Sequence, residues 1–110
     1  MRRVHAGEVV WAFESRGDGR PLVLLHGFSS DRTTWAPFAE AWPGWRLVAV
    51  DLPGHGATTC EPGFPWSMAA VVQALGGLLG ALGLEEPVVL GYSMGGRVAL
   101  HLALAAPHRL

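Results

Sequence analysis

Cysteine, net charge and long apolar runs are scarce in this 110-residue sequence, and each scarcity excludes a class of protein. The single cysteine, Cys60, cannot form an internal disulfide framework and favours a reducing compartment, so the cytoplasm is the expected location. The formal net charge is only −1, from 8 basic and 9 acidic residues. That balance predicts neither a nucleic acid nor an anionic membrane surface as a partner.

An apolar segment long enough to span a membrane is absent, and so are the ligand patterns of cofactor sites. Residues 68–84 are interrupted by Gln73 and four glycines, so they predict a core-facing helix rather than a membrane span. Three of those glycines are expected to allow close packing of that helix on a sheet: Gly76, Gly77 and Gly80. The basic start of the chain is not followed by the apolar core of a signal peptide. The five histidines are scattered without metal-ligand spacing, and no nucleotide-binding glycine motif occurs, so we expect no metal and no cofactor.

Half of the residues are apolar, and they fall into short runs separated by turn signals and helical patterns. Strands are predicted at residues 8–14, 21–26, 46–50 and 87–90. Helices are predicted from Thr33 or Thr34 to Pro43, from Ser67 to about Leu82, and from Met94 to Ala106. The first two strands are expected to pair as an N-terminal hairpin. Strands that alternate with helices predict an α/β fold with a doubly wound, mostly parallel sheet.

The strongest functional signal lies between Val88 and Arg97. Three apolar residues, typical of a buried strand, lead into a Gly-x-Ser-x-Gly motif, and a long apolar helix follows. A turn this tight predicts strained backbone angles, with Gly91 and Gly95 removing Cβ atoms where strand and helix approach. It would expose the Ser93 hydroxyl beside the free N–H groups of the helix start, where an oxyanion could be stabilised. Ser93 is therefore the candidate nucleophile, and the alternative is a glycine-rich turn with an idle serine.

Two further motifs precede this stretch, Leu25-His26-Gly27-Phe28 and Asp51-Leu52-Pro53-Gly54-His55-Gly56. Together with the serine motif, and in this order, they closely resemble the α/β-hydrolase superfamily over nearly the whole chain, from about Glu8 to Leu110. The resemblance implies the α/β-hydrolase fold, with residues 1–110 as the N-terminal portion of a single domain. Because serine stands at position 93, the resemblance also excludes the nucleophilic aspartate of the epoxide hydrolase and haloalkane dehalogenase branches.

The resemblance implies a role for each matching residue. Ser93 corresponds to the catalytic nucleophile, and the backbone N–H groups of Met94 and Phe28 correspond to the oxyanion hole. His26 is expected to anchor its loop by hydrogen bonds rather than to act as a base, and His55 is expected to be structural. The glycines of the matching motifs are implied to be structural as well: Gly27, Gly91, Gly95 and Gly96.

The stretch from Gly91 to Leu104 is similar to one branch especially, the 2-succinyl-6-hydroxy-2,4-cyclohexadiene-1-carboxylate synthases of menaquinone biosynthesis. That branch uses a serine triad to abstract a proton, after which pyruvate is eliminated, and it needs no cofactor. The resemblance therefore implies a small-molecule substrate with several carboxylates. Arg97, about one helical turn beyond Ser93, is either a bidentate carboxylate ligand or a solvated helix residue. Tyr92 and Phe28 are implied to line the substrate pocket.

Ser93 lacks the partners that this fold supplies in the order Ser, then Asp or Glu, then His. Residues 94–110 contain neither Asp nor Glu, and His101 would lie about 12 Å along the helix. The strand near Leu90 is also expected to have an uncovered edge. We therefore expect an incomplete sheet and an N-terminal fragment that is inactive alone. Two functions are alternatives to the synthase: a carboxylesterase or other acyl hydrolase, and a non-catalytic remnant that binds through its exposed edge. The sequence does not indicate the oligomeric state.

Overall fold

A six-stranded sheet runs through the middle of the molecule, and the computed structural model describes all of residues 1–110. The strands are β1 (Arg2–Ala6), β2 (Val9–Arg16), β3 (Arg20–Leu25), β4 (Trp45–Val50), β5 (Thr59–Cys60) and β6 (Val88–Gly91). The two α-helices are α1 (Met68–Ala81) and α2 (Met94–Ala105). Two 3-10 helices, Arg32–Phe38 and Pro107–Arg109, complete the regular structure.

The strands lie in the order β1-β2-β4-β3-β6, and β5 pairs with the start of β2. Strands β4, β3 and β6 are parallel, whereas β1, β2 and β5 pair antiparallel, so the sheet is mixed. Helices α1 and α2 cover one face and the 3-10 helix Arg32–Phe38 lies on the other, which confirms the predicted α/β fold with an open sheet. The parallel part that the sequence predicted is limited to three of the six strands. The outer edge of β6 is unpaired, as predicted, because β6 pairs only with β3.

An N-terminal hairpin is present, but it joins different strands from those predicted. β1 pairs with β2 through a two-residue turn, in which Gly7 adopts a φ of +61°. The predicted pairing of residues 8–14 with residues 21–26 is wrong, because β4 lies between β2 and β3 and pairs with both. β1 itself was not predicted, since only Val4 and Ala6 mark its inward face and its other residues are polar.

Apolar side chains cover both faces of the sheet, which explains why β3 and β4 are nearly continuous apolar runs. On one face, α1 and α2 pack over a cluster of 16 buried residues, including Trp11, Leu75 and Leu102. On the other face, a smaller buried cluster that includes Leu24 packs against Trp35 and Trp42. Neither α1 nor α2 has the length and apolar character needed to cross a membrane.

Helix α1 begins and ends where the sequence predicts. The Ser67 hydroxyl accepts a hydrogen bond from the Ala70 N–H at 3.1 Å, which satisfies one of the free donors at the helix start. Gly83 follows the helix end with a φ of +65°, a conformation that glycine adopts without strain.

The first predicted helix differs from the structure in its type, its cap and its length. The chain forms a 3-10 helix, and Asp31 caps it by accepting a hydrogen bond from the Thr33 N–H at 2.8 Å. The prediction of a helix beginning at Thr33 or Thr34 overlooked this carboxylate, which is a stronger acceptor than a threonine hydroxyl. Pro37 lies inside the segment and has no N–H to continue a helical ladder, so the helix stops at Phe38.

The glycines within α1 do not all serve the purpose predicted for them. A Cβ on Gly76 would lie 3.2 Å from Arg109 Nε, and a Cβ on Gly80 would lie 3.9 Å from Arg109 Nη1. Both glycines therefore face the chain that follows α2, and the expected close contact with the sheet is wrong for them. A Cβ on Gly77 would lie 3.9 Å from the Cβ of Ala6 in β1, which is an ordinary contact distance.

We expect Gly77→Ala to raise the free energy of unfolding by about 0.5–1 kcal/mol, because alanine loses less backbone entropy in a helix and its methyl group fits. Urea unfolding of both chains measures the change. Gly83→Ala is the matched control, since its φ of +65° should make the same substitution destabilising. Equal effects at the two positions would contradict this explanation.

Candidate active site

Strand β6 ends in a sharp turn that presents Ser93 to solvent. Ser93 has φ 54° and ψ −114°, a strained combination for a residue with a side chain. The Tyr92 N–H donates to the Leu25 carbonyl at 3.0 Å, and the Gly95 N–H donates to the Tyr92 carbonyl at 2.9 Å. The Ser93 side chain is exposed and makes no capping hydrogen bond. The turn is thus fixed by backbone hydrogen bonds while its hydroxyl stays available to a ligand.

Glycines make this turn sterically possible. A Cβ on Gly95 would lie 2.6 Å from the His26 carbonyl oxygen, and a Cβ on Gly91 would lie 2.5 Å from the Gly96 nitrogen. A Cβ on Gly96 would in turn lie 3.3 Å from the Gly91 carbonyl oxygen. Side chains at 91 or 95 would push α2 away from the ends of β3 and β6. This is the steric role that the sequence predicts for Gly91 and Gly95.

The loop after β3 lies directly against the serine. A Cβ on Gly27 would lie 3.6 Å from the Cβ of Ser93 and 3.2 Å from Cδ2 of Tyr92. The Phe28 N–H donates no hydrogen bond within the chain. Met94 is the first residue of α2, where a backbone N–H has no intrahelical acceptor. Two backbone donors from neighbouring elements therefore lie at the same edge of the sheet as the Ser93 hydroxyl.

A buried histidine ties the loop after β3 to the turn after β4. His26 is fully buried, and its Nε2 accepts a hydrogen bond from the Leu52 N–H at 3.0 Å. Its Nδ1 must then carry the proton, and it donates to the Gly27 carbonyl at 2.7 Å. His26 has no hydrogen bond to Ser93. The neutral ring holds the two backbone segments together at the base of the Phe28 loop.

The free energy of unfolding should fall as the pH falls through the titration of His26. Burial lowers the pKa of His26 below its ordinary value of 6.5, so the folded state favours the neutral ring. That stabilisation is fully present above pH 6.5 and is lost as the pH falls through the lowered pKa. The loss cannot exceed about 1.4 kcal/mol per pH unit for one proton. Urea unfolding between about pH 7.5 and 5 should show this dependence of the free energy of unfolding on pH. The dependence should be weaker in His26→Gln. An unchanged dependence in the variant would show that His26 is not its cause.

The sequence did not indicate the buried carboxylate that joins the two loops of the site. Asp51 is fully buried and accepts from both the backbone N–H and the guanidinium of Arg32, each at 2.7 Å. It also accepts from the Ala57 N–H at 2.9 Å, and a Cβ on Gly56 would overlap its carboxylate. Arg32 lies 19 residues earlier in the chain, so no local spacing marks the pair. The only available signal was the aspartate at the head of the second motif.

Exposed side chains surround Ser93. Tyr92 is 68% exposed and Phe28 is 77% exposed. The Phe28 ring packs edge-on against His55, with the ring centroids 5.8 Å apart. Arg97 is exposed in the first turn of α2 and has no ion pair within the chain. The structure thus places two exposed aromatic residues in the segments next to Ser93, and an unpaired arginine in the first turn of the helix that follows it.

No acidic or basic side chain of residues 1–110 forms a hydrogen bond with the Ser93 hydroxyl. Residues 94–110 contain no Asp or Glu. His101 and His108 instead line a cavity between α1 and the end of α2, together with Arg109. A serine hydroxyl is a weak nucleophile without an adjacent base. Residues 1–110 therefore present a hydroxyl and two backbone donors without the group that would activate the hydroxyl.

An open α/β sheet with an exposed serine at a strained strand-to-helix turn defines a class of α/β proteins whose site lies at the carboxyl ends of the strands. A family model described as the alpha/beta hydrolase fold matches residues 20–110. The chain therefore belongs to the α/β-hydrolase fold family, which confirms the superfamily that the three motifs predicted.

Named relatives of the chain differ in their reactions. A 2-succinyl-6-hydroxy-2,4-cyclohexadiene-1-carboxylate synthase from Klebsiella pneumoniae is 39% identical over 82 residues, which cover 74% of this chain and 32% of the relative. A 2-hydroxy-6-oxo-2,4-heptadienoate hydrolase from Pseudomonas putida is 34% identical over 113 aligned positions, covering 99% of this chain and 41% of the relative. The chain spans well under half the length of either relative.

A solved structure shows the same relationship in three dimensions. A thermophilic esterase from Thermogutta terrifontis, solved with malate bound, superposes with a TM-score of 0.89 at 37% identity. The match covers all of this chain and 43% of the esterase. Residues 1–110 therefore correspond to part of an α/β-hydrolase fold.

Proposed function

We propose that residues 1–110 are the nucleophile-bearing portion of a serine-dependent α/β-hydrolase-fold enzyme. Ser93 is the nucleophile, and the N–H groups of Met94 and Phe28 form the oxyanion hole. The observation that carries this proposal is the Ser93 backbone, at φ 54° and ψ −114°, which holds an exposed hydroxyl between β6 and α2. Donors that are fixed in advance stabilise a developing negative charge without reorganisation during the reaction.

The proposal requires an acid and a histidine that residues 1–110 do not place beside Ser93. In this fold both follow the nucleophile, with the acid first and the histidine later. We therefore propose that residues 1–110 are inactive alone. DNA sequence past the codon for Leu110 tests this step: an open frame that encodes an acid and then a histidine supports it. A stop codon at that point would overturn the proposal that the chain is part of a serine-dependent enzyme and would favour a non-catalytic remnant.

Covalent labelling tests the nucleophile directly. A fluorophosphonate ester bonds through phosphorus to an activated serine oxygen as fluoride leaves and a base takes the hydroxyl proton. The product of the complete reading frame should be labelled once, on Ser93, and Ser93→Ala should not be labelled. Ser29→Ala is a matched control, because Ser29 is also exposed and also has a positive φ, of 63°. Labelling that survives in Ser93→Ala would overturn the proposal.

Within the family, the proposed reaction is that of a 2-succinyl-6-hydroxy-2,4-cyclohexadiene-1-carboxylate synthase, in which proton abstraction is followed by elimination of pyruvate. Support comes from the 39% identity to the Klebsiella pneumoniae synthase and from Arg97, which is exposed in the first turn of α2 and forms no ion pair within the chain. An exposed arginine can bind a carboxylate through two parallel N–H···O bonds. A small polycarboxylate is thus the proposed substrate, with Tyr92 and Phe28 lining its binding site.

Arg97→Ala separates the synthase from an esterase. For a synthase, we expect kcat/KM on the polycarboxylate substrate to fall by about 10- to 100-fold, because one charge-assisted pair contributes about 1.5–3 kcal/mol. Hydrolysis of a neutral ester such as p-nitrophenyl acetate should change by less than about twofold, since it offers Arg97 no carboxylate. Arg97→Lys is the control, because it keeps the charge and removes the bidentate geometry, and it should recover part of the loss. An equal loss on both substrates would contradict a carboxylate-binding role.

An acyl hydrolase is the second candidate function, and the similarity to the Thermogutta terrifontis esterase favours it. The same hydroxyl and N–H pair would then attack an ester carbonyl and stabilise the tetrahedral oxyanion. Turnover of simple esters without turnover of the menaquinone intermediate would favour the acyl hydrolase over the synthase. The cytoplasm remains the proposed location for either reaction, because the only thiol, Cys60, is free.

A further inference from the structure

We infer that the chain carries a second binding site, for a small organic carboxylate with an apolar tail, in the cavity between α1 and the end of α2. The cavity has a volume of about 600 Å³ and is lined by 11 residues, six of them hydrophobic. Its polar lining residues are Gln73, His101, His108 and Arg109, and no carboxylate lies among them. The cavity shares no residue with the turn at Ser93, so this inference does not depend on the proposed function.

Arg109 is the group that would recognise the carboxylate. Its side chain is half-buried and forms no ion pair within the chain. A guanidinium offers five N–H donors in a planar fork that matches the two oxygens of a carboxylate. The imidazoles of His101 and His108 add further ring nitrogens at the same cavity. A partly buried cation without a counter-ion favours the entry of an anion.

Two glycines of helix α1 accommodate the side chain of Arg109. Gly76 and Gly80 lie one turn apart, and each weakens the helix relative to alanine. The missing Cβ of Gly76 leaves the space that Arg109 Nε occupies, 3.2 Å from where the Cβ would lie. Arg109 Nη1 lies 3.9 Å from the corresponding point on Gly80. The absence of side chains at the two glycines therefore leaves room for the guanidinium of Arg109 against α1.

The remaining walls explain why the ligand should have an apolar tail. Met68 and Val72 from α1 and Leu102 from α2 also line the cavity. The volume lies within the range of about 300–1,000 Å³ that is typical of small-molecule sites. A short alkyl chain would cover these side chains while its carboxylate pairs with Arg109.

Titration of the chain with hexanoate tests the inference, with hexan-1-ol as the matched neutral ligand and inorganic phosphate as the tail-less anion. Amide shifts in proton–nitrogen NMR spectra give the binding site and the dissociation constant. We expect saturable shifts at Gly76, Gly80 and Arg109, with hexanoate binding at least about tenfold more tightly than either comparison ligand. Phosphate binding as tight as hexanoate would overturn the carboxylate-with-tail assignment. Hexanol binding as tight would overturn the role of the anion.

Two pairs of variants complete the test. Arg109→Gln should weaken hexanoate binding by at least about tenfold, whereas Arg3→Gln, the same charge change on the exposed strand β1, should leave it unchanged. Gly76→Ala should also weaken binding because it crowds Arg109, whereas Gly77→Ala, one residue away, should not. If Arg109→Gln does not fold, the hexanoate affinities of Gly76→Ala and Gly77→Ala provide the test instead. Equal affinities within the glycine pair would overturn the inference.

Discussion

Replacing Ser93 with alanine is expected to lower kcat by about 10⁴- to 10⁶-fold in the product of the complete reading frame, the range seen when triad enzymes lose their nucleophile. The hydroxyl lies on the residue with the strained backbone at the tip of the turn, and alanine puts no nucleophilic atom in its place. KM should change little, because the side chains proposed to bind substrate, Arg97, Tyr92 and Phe28, remain in place. Steady-state kinetics on the proposed substrate measures both parameters.

The interpretation depends on the turn keeping its geometry in the variant. Alanine can occupy the same φ of 54° at a cost similar to that of serine, so circular dichroism and urea unfolding should match those of the parent chain. Ser29→Ala, which has a similar backbone conformation, should keep kcat within about twofold. A loss of less than about tenfold in Ser93→Ala would show that the serine does not act as the nucleophile.

The turn at Ser93 was predictable because all of its determinants are close together in the chain. A short apolar strand, glycines at positions 91 and 95, and an apolar helix together specify one local geometry. The structure shows that geometry, including the positive φ of Ser93 and the close approach of Gly95 to the loop after β3. The same reasoning worked for α1, whose cap at Ser67 and stop at Gly83 lie next to the helix they delimit.

Features that depend on distant residues could not be predicted in this way. Local patterns mark β2 and β3 as strands, but they do not reveal that β4 inserts between them. Gly76 is likewise visible as a helix glycine, but its partner Arg109 lies 33 positions further on and reaches it only because the chain folds back after α2. The ion pair between Arg32 and Asp51 is marked by no local spacing, although Asp51 heads the second motif. In each case the sequence indicates the strand or the residue, but its contact partner is determined by the tertiary fold.

Asp51→Asn is expected to lower the free energy of unfolding by about 3 kcal/mol, at the lower end of the range for breaking a buried ion pair. Asp51 is fully buried and Arg32 is nearly so, with 16% of its side chain exposed. Asparagine can accept one of the bonds that the carboxylate now accepts, but it leaves the guanidinium without its charge partner. Glu14, 3.5 Å from Arg32 Nε, offsets part of that loss. Urea unfolding at neutral pH measures the difference.

Asp31→Asn is the matched control, because it makes the same charge change one residue away from Arg32. Asp31 lies near the surface and caps the 3-10 helix, a role that asparagine performs equally well, so its effect should stay within about 0.5 kcal/mol. Similar effects at the two positions would contradict a buried ion pair. If Asp51→Asn alone destabilises the chain, the loop that carries Phe28 and the turn after β4 depend on one carboxylate. In that case the proposed oxyanion hole is positioned by a residue that never touches the substrate.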